Sequence, residues 1–374
     1  MRPLSGAMVL GLLLMSALFP LACGGSADAQ LGTRSDGDRT VMLELFTATW
    51  CVGCPYADAA VDRLFRVLGP ERLSVIQYHV SLTDPLRIAE SDSRRLAYGD
   101  PALPSLFLDG NLKSTEANSY EEAYSEYLSF IEESLQASTP VDIDLDRHLG
   151  NGTVNVNASL TTTESLAGQN LSLRFVLFEN ILETGGKIYN YSARAYNETV
   201  IDPVTFPLIK SMTFDLDPSW VVDNMGAAVF LQIGEVGDIY QSSNMMFGEP
   251  PSIAVSNPPS GSISGEYTFQ GTCTGGRGLS EAFIKIDNGN WEEIEGTTSW
   301  QHTVDTTELS DGSHTVSTRV FDIAGTYSTD ETFTIIVKNE EPVPGAELLL
   351  VLAVVLSVAV VAALLRVKSK PPQS

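Results

Sequence analysis

Two cysteines three positions apart, Cys51 and Cys54, constrain this chain more than any other feature. An apolar run at 41–46 predicts a buried strand before them, and helical spacing of apolar residues predicts a helix over 56–68 after them. At a helix start the unpaired backbone N–H groups and the helix dipole stabilise a thiolate. We therefore expect Cys51 to be the attacking nucleophile and Cys54, one turn inside, to be the resolving thiol.

Three other uses of this pair are open. A passive structural disulfide fits a chain that is exported to an oxidising compartment. Zinc binding needs two further ligands at matching spacing, for which the body offers Cys273 and four scattered histidines. Two unlinked buried thiols are the third alternative. We expect no metal and no cofactor.

A second motif, LPSLFLDG, occupies residues 103–110, some fifty residues after the cysteines. Together with the Trp-Cys-x-x-Cys motif it resembles the thioredoxin fold, in which a cis-proline before a strand faces the dithiol. The resemblance covers about residues 36–138 and implies that Pro104 positions the substrate and that the Leu103 backbone pairs with a bound peptide. An ordinary trans proline is the alternative. Trp50 is expected to shield the dithiol.

Two residues are candidates for a proton relay. Some thioredoxins carry a buried acidic residue beneath the dithiol, and the nearest candidate is Glu44, seven residues before Cys51. A solvent-facing or salt-bridged role for Glu44 is equally open. His79 lies near the carboxyl end of a strand predicted over 73–80, the end where such sheets place their sites. Together with Asp84, His79 either relays protons or only forms hydrogen bonds that hold a loop in place.

The rest of the body is predicted to be all-β. The fold class expected is multidomain: an α/β thioredoxin-like domain (31–139), followed by two all-β immunoglobulin-like sandwiches (140–250 and 251–338) and a stalk (339–345). The motifs ELFTATWC, VLFEN and FLQ resemble thioredoxin-like surface proteins filed under outer-membrane-protein-related names, with their following sandwich. IDNGNW, DTTEL, DGSHT and DIAG resemble bacterial immunoglobulin-like repeats.

Both ends carry targeting patterns. Residues 1–30 predict a secretion signal peptide, and Cys23 lies in a sequence that resembles a lipoprotein box. The uncharged run 348–365, with basic residues after it, predicts a C-terminal transmembrane helix over 346–366 and a cytoplasmic tail over 367–374. The expected location is therefore the cell membrane, single-pass, with the main body extracytoplasmic.

The charge of the chain excludes one class of partner. With 22 basic and 47 acidic side chains its net charge is −25, so it repels phosphate backbones and no nucleic-acid binding is expected. Five Asn-x-Ser/Thr sequons fit an exported and glycosylated module. They lie at Asn151, Asn157, Asn170, Asn190 and Asn197.

Two functions follow from these patterns. The first is an extracytoplasmic, membrane-anchored thiol-disulfide oxidoreductase whose Cys51 and Cys54 exchange disulfides with exported protein thiols or disulfides and with an unidentified redox partner. The second is a non-catalytic cell-surface binding or scaffold protein in which the same cysteines form a structural disulfide.

Overall fold

The computed structural model describes residues 38–339, and this part of the chain is mostly β-sheet, with 47% strand and 15% helix. Its first stretch holds the three α-helices of the described residues. The elements in chain order are β1 (Val41–Thr47), α1 (Cys54–Leu68), β2 (Leu73–His79), α2 (Ala89–Ala97), β3 (Ser105–Leu108), β4 (Asn111–Ser114) and α3 (Tyr120–Ser134).

The second stretch consists of nine strands and a short 3-10 turn. The strands are β5 (Val141–Leu149), β6 (Thr153–Thr162), β7 (Leu171–Glu179), β8 (Leu182–Thr184), β9 (Lys187–Tyr189), β10 (Ser192–Ile201), β11 (Leu208–Asp215), β12 (Met225–Ile233) and β13 (Ile239–Met246), and the turn is Val222–Asn224.

The third stretch is again all-β. Its elements are β14 (Ser252–Val255), β15 (Ser262–Ile263), β16 (Glu266–Thr274), β17 (Leu279–Ile286), β18 (Glu292–Glu293), β19 (Ser299–Asp305), the 3-10 turn Thr306–Glu308, β20 (Gly312–Asp322) and β21 (Glu331–Val337).

One eight-stranded sheet joins the first two stretches, in the order β13-β12-β7-β10-β2-β1-β3-β4. The link is a parallel pairing of β10 with β2, where Ser192 lies opposite Gln77. Strands β1 and β2 are buried along their whole length. Parallel strands covered on both faces need mainly apolar side chains on both faces, which is why these two segments are mostly apolar, with buried polar exceptions that include Glu44, Ser74, Gln77 and His79.

This sheet overturns the expected fold class. The four strands of residues 41–114 do not form the sheet of a separate α/β thioredoxin-like domain, because β10 pairs with β2 and carries β7, β12 and β13 into the same sheet. Strands rather than alternating helices dominate the described chain. The physical reason is that an unpaired edge of β2 would expose backbone donors and acceptors, and a strand of the following segment satisfies them.

The other strands form two sandwich-like layers. The sheet β11-β6-β5 packs its apolar side chains against β7 and β12 around a core that includes Val156, Leu173 and Val229. In the third stretch the sheets β14-β16-β19 and β15-β21-β20-β17-β18 enclose a core around Phe269 and Val320. Buried residues alternate with half-buried ones along β6 and with exposed ones along the second half of β16, which is the period of two expected of strands with one covered face.

The third stretch is held against α1 and β2 by charged contacts. Arg319 of β20 bonds the carboxylates of Glu71 (Nη1–Oε2 2.8 Å) and Asp330 (Nε–Oδ1 2.7 Å). Arg63 of α1 bonds Glu281 of β17 (3.1 Å) and Glu293 of β18 (2.7 Å). The aromatic residues Phe283, Trp291 and Phe321 join the core of the first stretch.

The predicted membrane anchor finds no support. Within residues 38–339 no helix is long and apolar enough to span a bilayer. The predicted signal peptide, Cys23, the transmembrane helix predicted over 346–366 and the predicted tail lie outside the described residues, as does most of the stalk. The single-pass location was predicted from that helix, so it too lies outside the described residues.

Candidate functional site: a disulfide at the start of α1

Cys51 and Cys54 form a disulfide, with their Cα atoms 5.4 Å apart. Strand β1 ends at Thr47, the chain turns through residues 48–53, and α1 begins at Cys54. Cys54 is fully buried, whereas Cys51 is half-buried at the mouth of the turn. A partner sulfur therefore reaches Cys51 first, which agrees with the order of attack expected from the sequence.

The start of α1 favours negative charge on Cys51. The backbone N–H of Cys54 donates to Cys51 Sγ at 3.2 Å. The N-cap residue, Gly53, has no side chain to cap the helix, and the first turn holds no acidic residue. With no carboxylate there, the positive end of the helix dipole acts on the sulfur.

A cluster of titratable groups, of which Asp58 is half-buried and His79 and Asp84 are buried, lies one turn beneath the disulfide. Asp58 follows Cys54 by four residues, so the two side chains lie on the same face of α1, roughly 5–6 Å apart at Cβ. Asp58 Oδ1 accepts a hydrogen bond of 2.8 Å from Thr47 Oγ1. His79 Nδ1 lies 3.3 Å from Asp84 Oδ2, and both side chains are fully buried. Asp84 Oδ2 also accepts the backbone N–H of Thr49 at 2.6 Å, which ties the cluster to the turn that carries Cys51.

The pKa values of the two aspartates in this cluster are shifted in opposite directions. Loss of solvation raises the pKa of Asp58 to about 6, although the hydrogen bond from Thr47 and the charges of His79 and Lys187 partly offset it. Burial also acts to raise the pKa of Asp84, but hydrogen bonds from His79 and from backbone N–H groups outweigh it and hold that pKa below its ordinary value. Asp58 is thus poised to exchange a proton near neutral pH, whereas Asp84 stays ionised.

The site residues predicted from the second motif lie beside the disulfide turn. The Leu103–Pro104 peptide bond is cis. The Cδ atom of Pro104 lies 3.5 Å from the position that a Cβ on Gly53 would take, so the proline contacts the turn between the cysteines. Leu103 is half-buried next to it. Trp50 is 56% exposed and borders the disulfide without covering it.

Glu44, the residue expected as a proton relay, lies on the other face of the sheet. Side chains alternate along β1, so Glu44 points away from the face of Thr47 that carries α1. Its carboxylate binds Arg94 of α2 at 2.8 and 2.9 Å and accepts the hydroxyl of Tyr98 at 2.7 Å. Glu44 is therefore part of a buried ion pair, and Asp58 takes the place next to the dithiol.

Sequence reasoning missed Asp58, although a signal for it existed. The spacing of four residues from Cys54 on a predicted helix places a carboxyl directly below the second sulfur. His79 lies close to the site, because its partner Thr47 in the β1–β2 register bonds Asp58. Its role as a proton relay stays a prediction. Lys187 and Tyr189, which also face the cluster, come from a hairpin more than a hundred residues away and carry no local signal.

The predicted glycosylation sites differ in accessibility. Asn151, Asn170 and Asn197 are exposed. Asn157 and Asn190 are half-buried, and the side-chain amide of Asn190 donates to Asp62 Oδ1 at 2.9 Å. Asn151, Asn170 and Asn197 are therefore the three whose side chains are accessible to a modifying enzyme.

Cys273, the remaining cysteine of the described chain, is buried in the third stretch. Loss of solvation raises the pKa of its thiol to about 11, so it stays protonated and unreactive at neutral pH. Within residues 38–339 no group of three or more His, Cys, Asp or Glu side chains is arranged to hold a metal ion.

Comparisons with known proteins give no assignment. No protein-family model matches the chain, and no curated protein matches it. Solved structures similar to it include HBP35 of Porphyromonas gingivalis, 14% identical over 82% of this chain and 100% of that one, with a TM-score of 0.48. Fibronectin(III)-like modules of Clostridium thermocellum CbhA are 14% identical over 53% of this chain and 94% of theirs, with a TM-score of 0.25. At these scores the likenesses carry neither fold nor function to this chain, and the predicted family resemblance stays a prediction.

Proposed function

We propose that the protein is a thiol-disulfide oxidoreductase that exchanges disulfides with other proteins through Cys51 and Cys54. The observation that carries this proposal is the position of the disulfide. It joins a half-buried sulfur at an uncapped helix start to a buried sulfur that lies one turn above a carboxyl with a pKa of about 6. A bond that only staples a loop needs neither the accessible sulfur nor the titrating carboxyl.

The exchange needs no metal or organic cofactor. A thiolate of the partner attacks Cys51 Sγ, the Cys51–Cys54 bond breaks, and a mixed disulfide forms while Cys54 leaves as a thiolate. Protonated Asp58 gives its proton to Cys54. A second thiolate of the partner then attacks the partner sulfur of the mixed disulfide and releases Cys51 as a thiolate. The partner loses two electrons, and the protein ends reduced, with Cys54 as a thiol and Cys51 as a thiolate at the helix start. The reverse sequence reduces a partner disulfide, with Asp58 as the base.

The partners we propose are exported proteins that carry thiols or disulfides, together with a redox partner that resets the dithiol. Leu103 and Pro104 flank the path by which a partner chain approaches Cys51. Trp50 and Val52, which is 91% exposed, offer apolar contacts on either side of that sulfur. A folded partner presents few free backbone groups, so extended or unfolded segments fit this site best.

The test uses single cysteine variants of the full chain. Wild type is expected to reduce insulin and to reoxidise a scrambled protein, and Cys51→Ser is expected to lose both activities. Cys54→Ser should instead accumulate mixed disulfides on Cys51, because no resolving thiol remains. Cys273→Ala is the matched control, since that thiol is buried and lies in the third stretch.

The alternative scaffold function predicts a different set of results. In that case wild type and Cys51→Ser behave alike in both assays, and the disulfide resists mild reductants. A reduction potential below about −300 mV is typical of an inert structural bridge, whereas exchange enzymes lie above it. Measuring the potential of the Cys51/Cys54 couple against glutathione therefore decides between the two functions.

A further inference from the structure

The hairpin formed by β8 and β9 covers the side of the acid cluster that α1 and β2 leave open. Tyr189, its last residue, packs edge-on against His79 with ring centroids 5.1 Å apart and an interplanar angle of 83°. Tyr189 is only 5% exposed, although its neighbours Lys187 and Ile188 face solvent. The hairpin thus places one aromatic ring inside the site and one ammonium at its rim.

The residues that follow β9 hydrogen-bond to the base of the hairpin and to the two elements, α1 and β2, that carry Asp58 and His79. Asn190 Oδ1 accepts the backbone N–H of Ile181 at 3.0 Å and so closes the base of the hairpin. The amide of Asn190 donates to Asp62 of α1 at 2.9 Å. The carbonyl of Tyr191 accepts the N–H of Gln77 of β2 at 2.8 Å. The hairpin therefore keeps a fixed position relative to Asp58 and His79.

The charges of the hairpin and of the cluster act on each other. The ammonium of Lys187 lowers the proton affinity of Asp58, against the larger effect of lost solvation. Loss of solvation, and then the negative charges of Asp58 and Asp84, raise the pKa of the Tyr189 hydroxyl. Tyr189 therefore stays neutral, and its role is to exclude water and hold the His79 ring.

We propose that the β8–β9 hairpin is a wall of the redox site and that Lys187 and Tyr189 are positioning residues that control proton transfer between Asp58 and Cys54. This inference rests on the proposed function, because it concerns the proton that disulfide exchange moves. It makes the second stretch of the chain a part of the reaction, where the sequence placed all of the chemistry in the first.

The groups that face Asp58 are titratable or charged, except for the hydroxyl of Thr47, which acts by a hydrogen bond. These groups come from five elements besides α1 and act in both directions. They are Thr47 of β1, His79 of β2, Asp84 of the loop after β2, Tyr127 of α3, and Lys187 and Tyr189 of the hairpin, with Asp62 one turn further along α1.

The two hairpin residues are expected to move Asp58 in opposite directions. Lys187→Gln removes a positive charge, so the pKa of Asp58 should rise, by roughly 0.2–0.7 pH unit, the range that solvent-exposed charge pairs produce. Tyr189→Ala opens the cluster to water, so the pKa of Asp58 should fall towards the ordinary value of an aspartate. A residue that only supports the fold would not produce shifts of opposite sign.

The experiment follows the Asp58 carboxyl by carbon NMR in the oxidised full-length protein with labelled aspartate, between pH 4 and 8. Its signal is assigned as the one that Asp58→Asn removes. Lys338→Gln is the matched control, because it makes the same charge change at an exposed position after the last strand. We expect that control to leave the titration where wild type has it.

The outcomes separate this inference from the proposed function. If Lys187→Gln titrates as wild type does, the hairpin has no part in the proton transfer and the inference is overturned, while the insulin assay with Cys51→Ser still decides the function. If the shifts occur, the pH profile of disulfide reduction by dithiothreitol should move with them in each variant. A profile that stays fixed while the carboxyl moves also overturns the inference. Lys187→Gln changes an exposed side chain, so its folding is not at risk.

Discussion

Replacing Asp58 by Asn should make the protein more stable and a poorer catalyst. Asn keeps the shape of the side chain and an oxygen that accepts the hydrogen bond of Thr47. It cannot ionise, so the free energy of keeping a charge in a desolvated place disappears. The gain in stability is expected to develop above pH 3.8, where the aspartate of the unfolded wild-type chain ionises, and to level off above pH 6.

The magnitude follows from the pKa of Asp58. It lies at about 6 in the folded protein against 3.8 for a free aspartate, a difference of 6 − 3.8, or about 2 pH units. At about 1.4 kcal/mol per unit this corresponds to about 3 kcal/mol. A raised carboxyl pKa favours the folded state below pH 3.8, and this contribution is lost as the pH rises through 6. The variant should therefore match wild type near pH 3.5 and exceed it by about 3 kcal/mol at pH 8.

Urea unfolding followed by tryptophan fluorescence at pH 3.5, 5, 6.5 and 8 measures this difference. Glu164→Gln, at an exposed position after β6, is the control and should change stability by the same small amount at each pH. The reasoning is refuted if Asp58→Asn shows no greater advantage at pH 8 than at pH 3.5. The catalytic half of the prediction fails if the variant exchanges insulin disulfides at the wild-type rate.

Three further outcomes follow from other buried charges. Arg319→Met leaves Glu71 and Asp330 without their shared cation, so unfolding free energy should drop by about 3–5 kcal/mol, measured by urea titration. Glu44→Gln should lower the free energy of unfolding by a similar amount, because buried Arg94 loses its bidentate partner. Insulin reduction, compared at the same folded fraction, should stay at the wild-type level. Loss of that activity would mean that Glu44 takes part in proton transfer. The hydrogen bond to the carboxylate of Asp287 raises the pKa of His314, so the stabilisation from this pair is full below pH 6.5 and disappears as the pH rises past the raised pKa. The difference in unfolding free energy between wild type and His314→Gln should therefore shrink from pH 5.5 to pH 8.5. An equal difference at both pH values would exclude the ion pair.

The secondary structure around the dithiol could be predicted from sequence because it depends on local patterns. Helical spacing predicted 56–68, and α1 spans Cys54–Leu68. The two extra residues at its start are Cys54, which forms the disulfide with Cys51, and Pro55, and they carry no apolar period that a pattern search detects. The strands β1 and β2 were equally clear, since buried strands read as short apolar runs.

Local patterns do not show which strands pair, and the prediction of a separate α/β domain was wrong. Pairing between β2 and β10 joins residues 115 positions apart, Gln77 and Ser192. Nothing in either segment specifies a partner, because backbone donors and acceptors are the same in every strand. A resemblance in two motifs therefore suggested a sheet that ends within the first stretch, whereas the chain continues it with β10, β7, β12 and β13.

The sequence by itself determined the pair of sulfurs and the helix start beside them, since both depend on residues within one turn of each other. The order in which the two sulfurs react stays a prediction. Only the tertiary structure decided which carboxyl lies beside these sulfurs. Glu44 and Asp58 are both close to the cysteines along the chain, but strand alternation turns the first towards Arg94 and helical spacing turns the second towards Cys54. The raised pKa of Asp58 arises from groups brought together from distant segments, and desolvation of this kind exists only once the chain has folded.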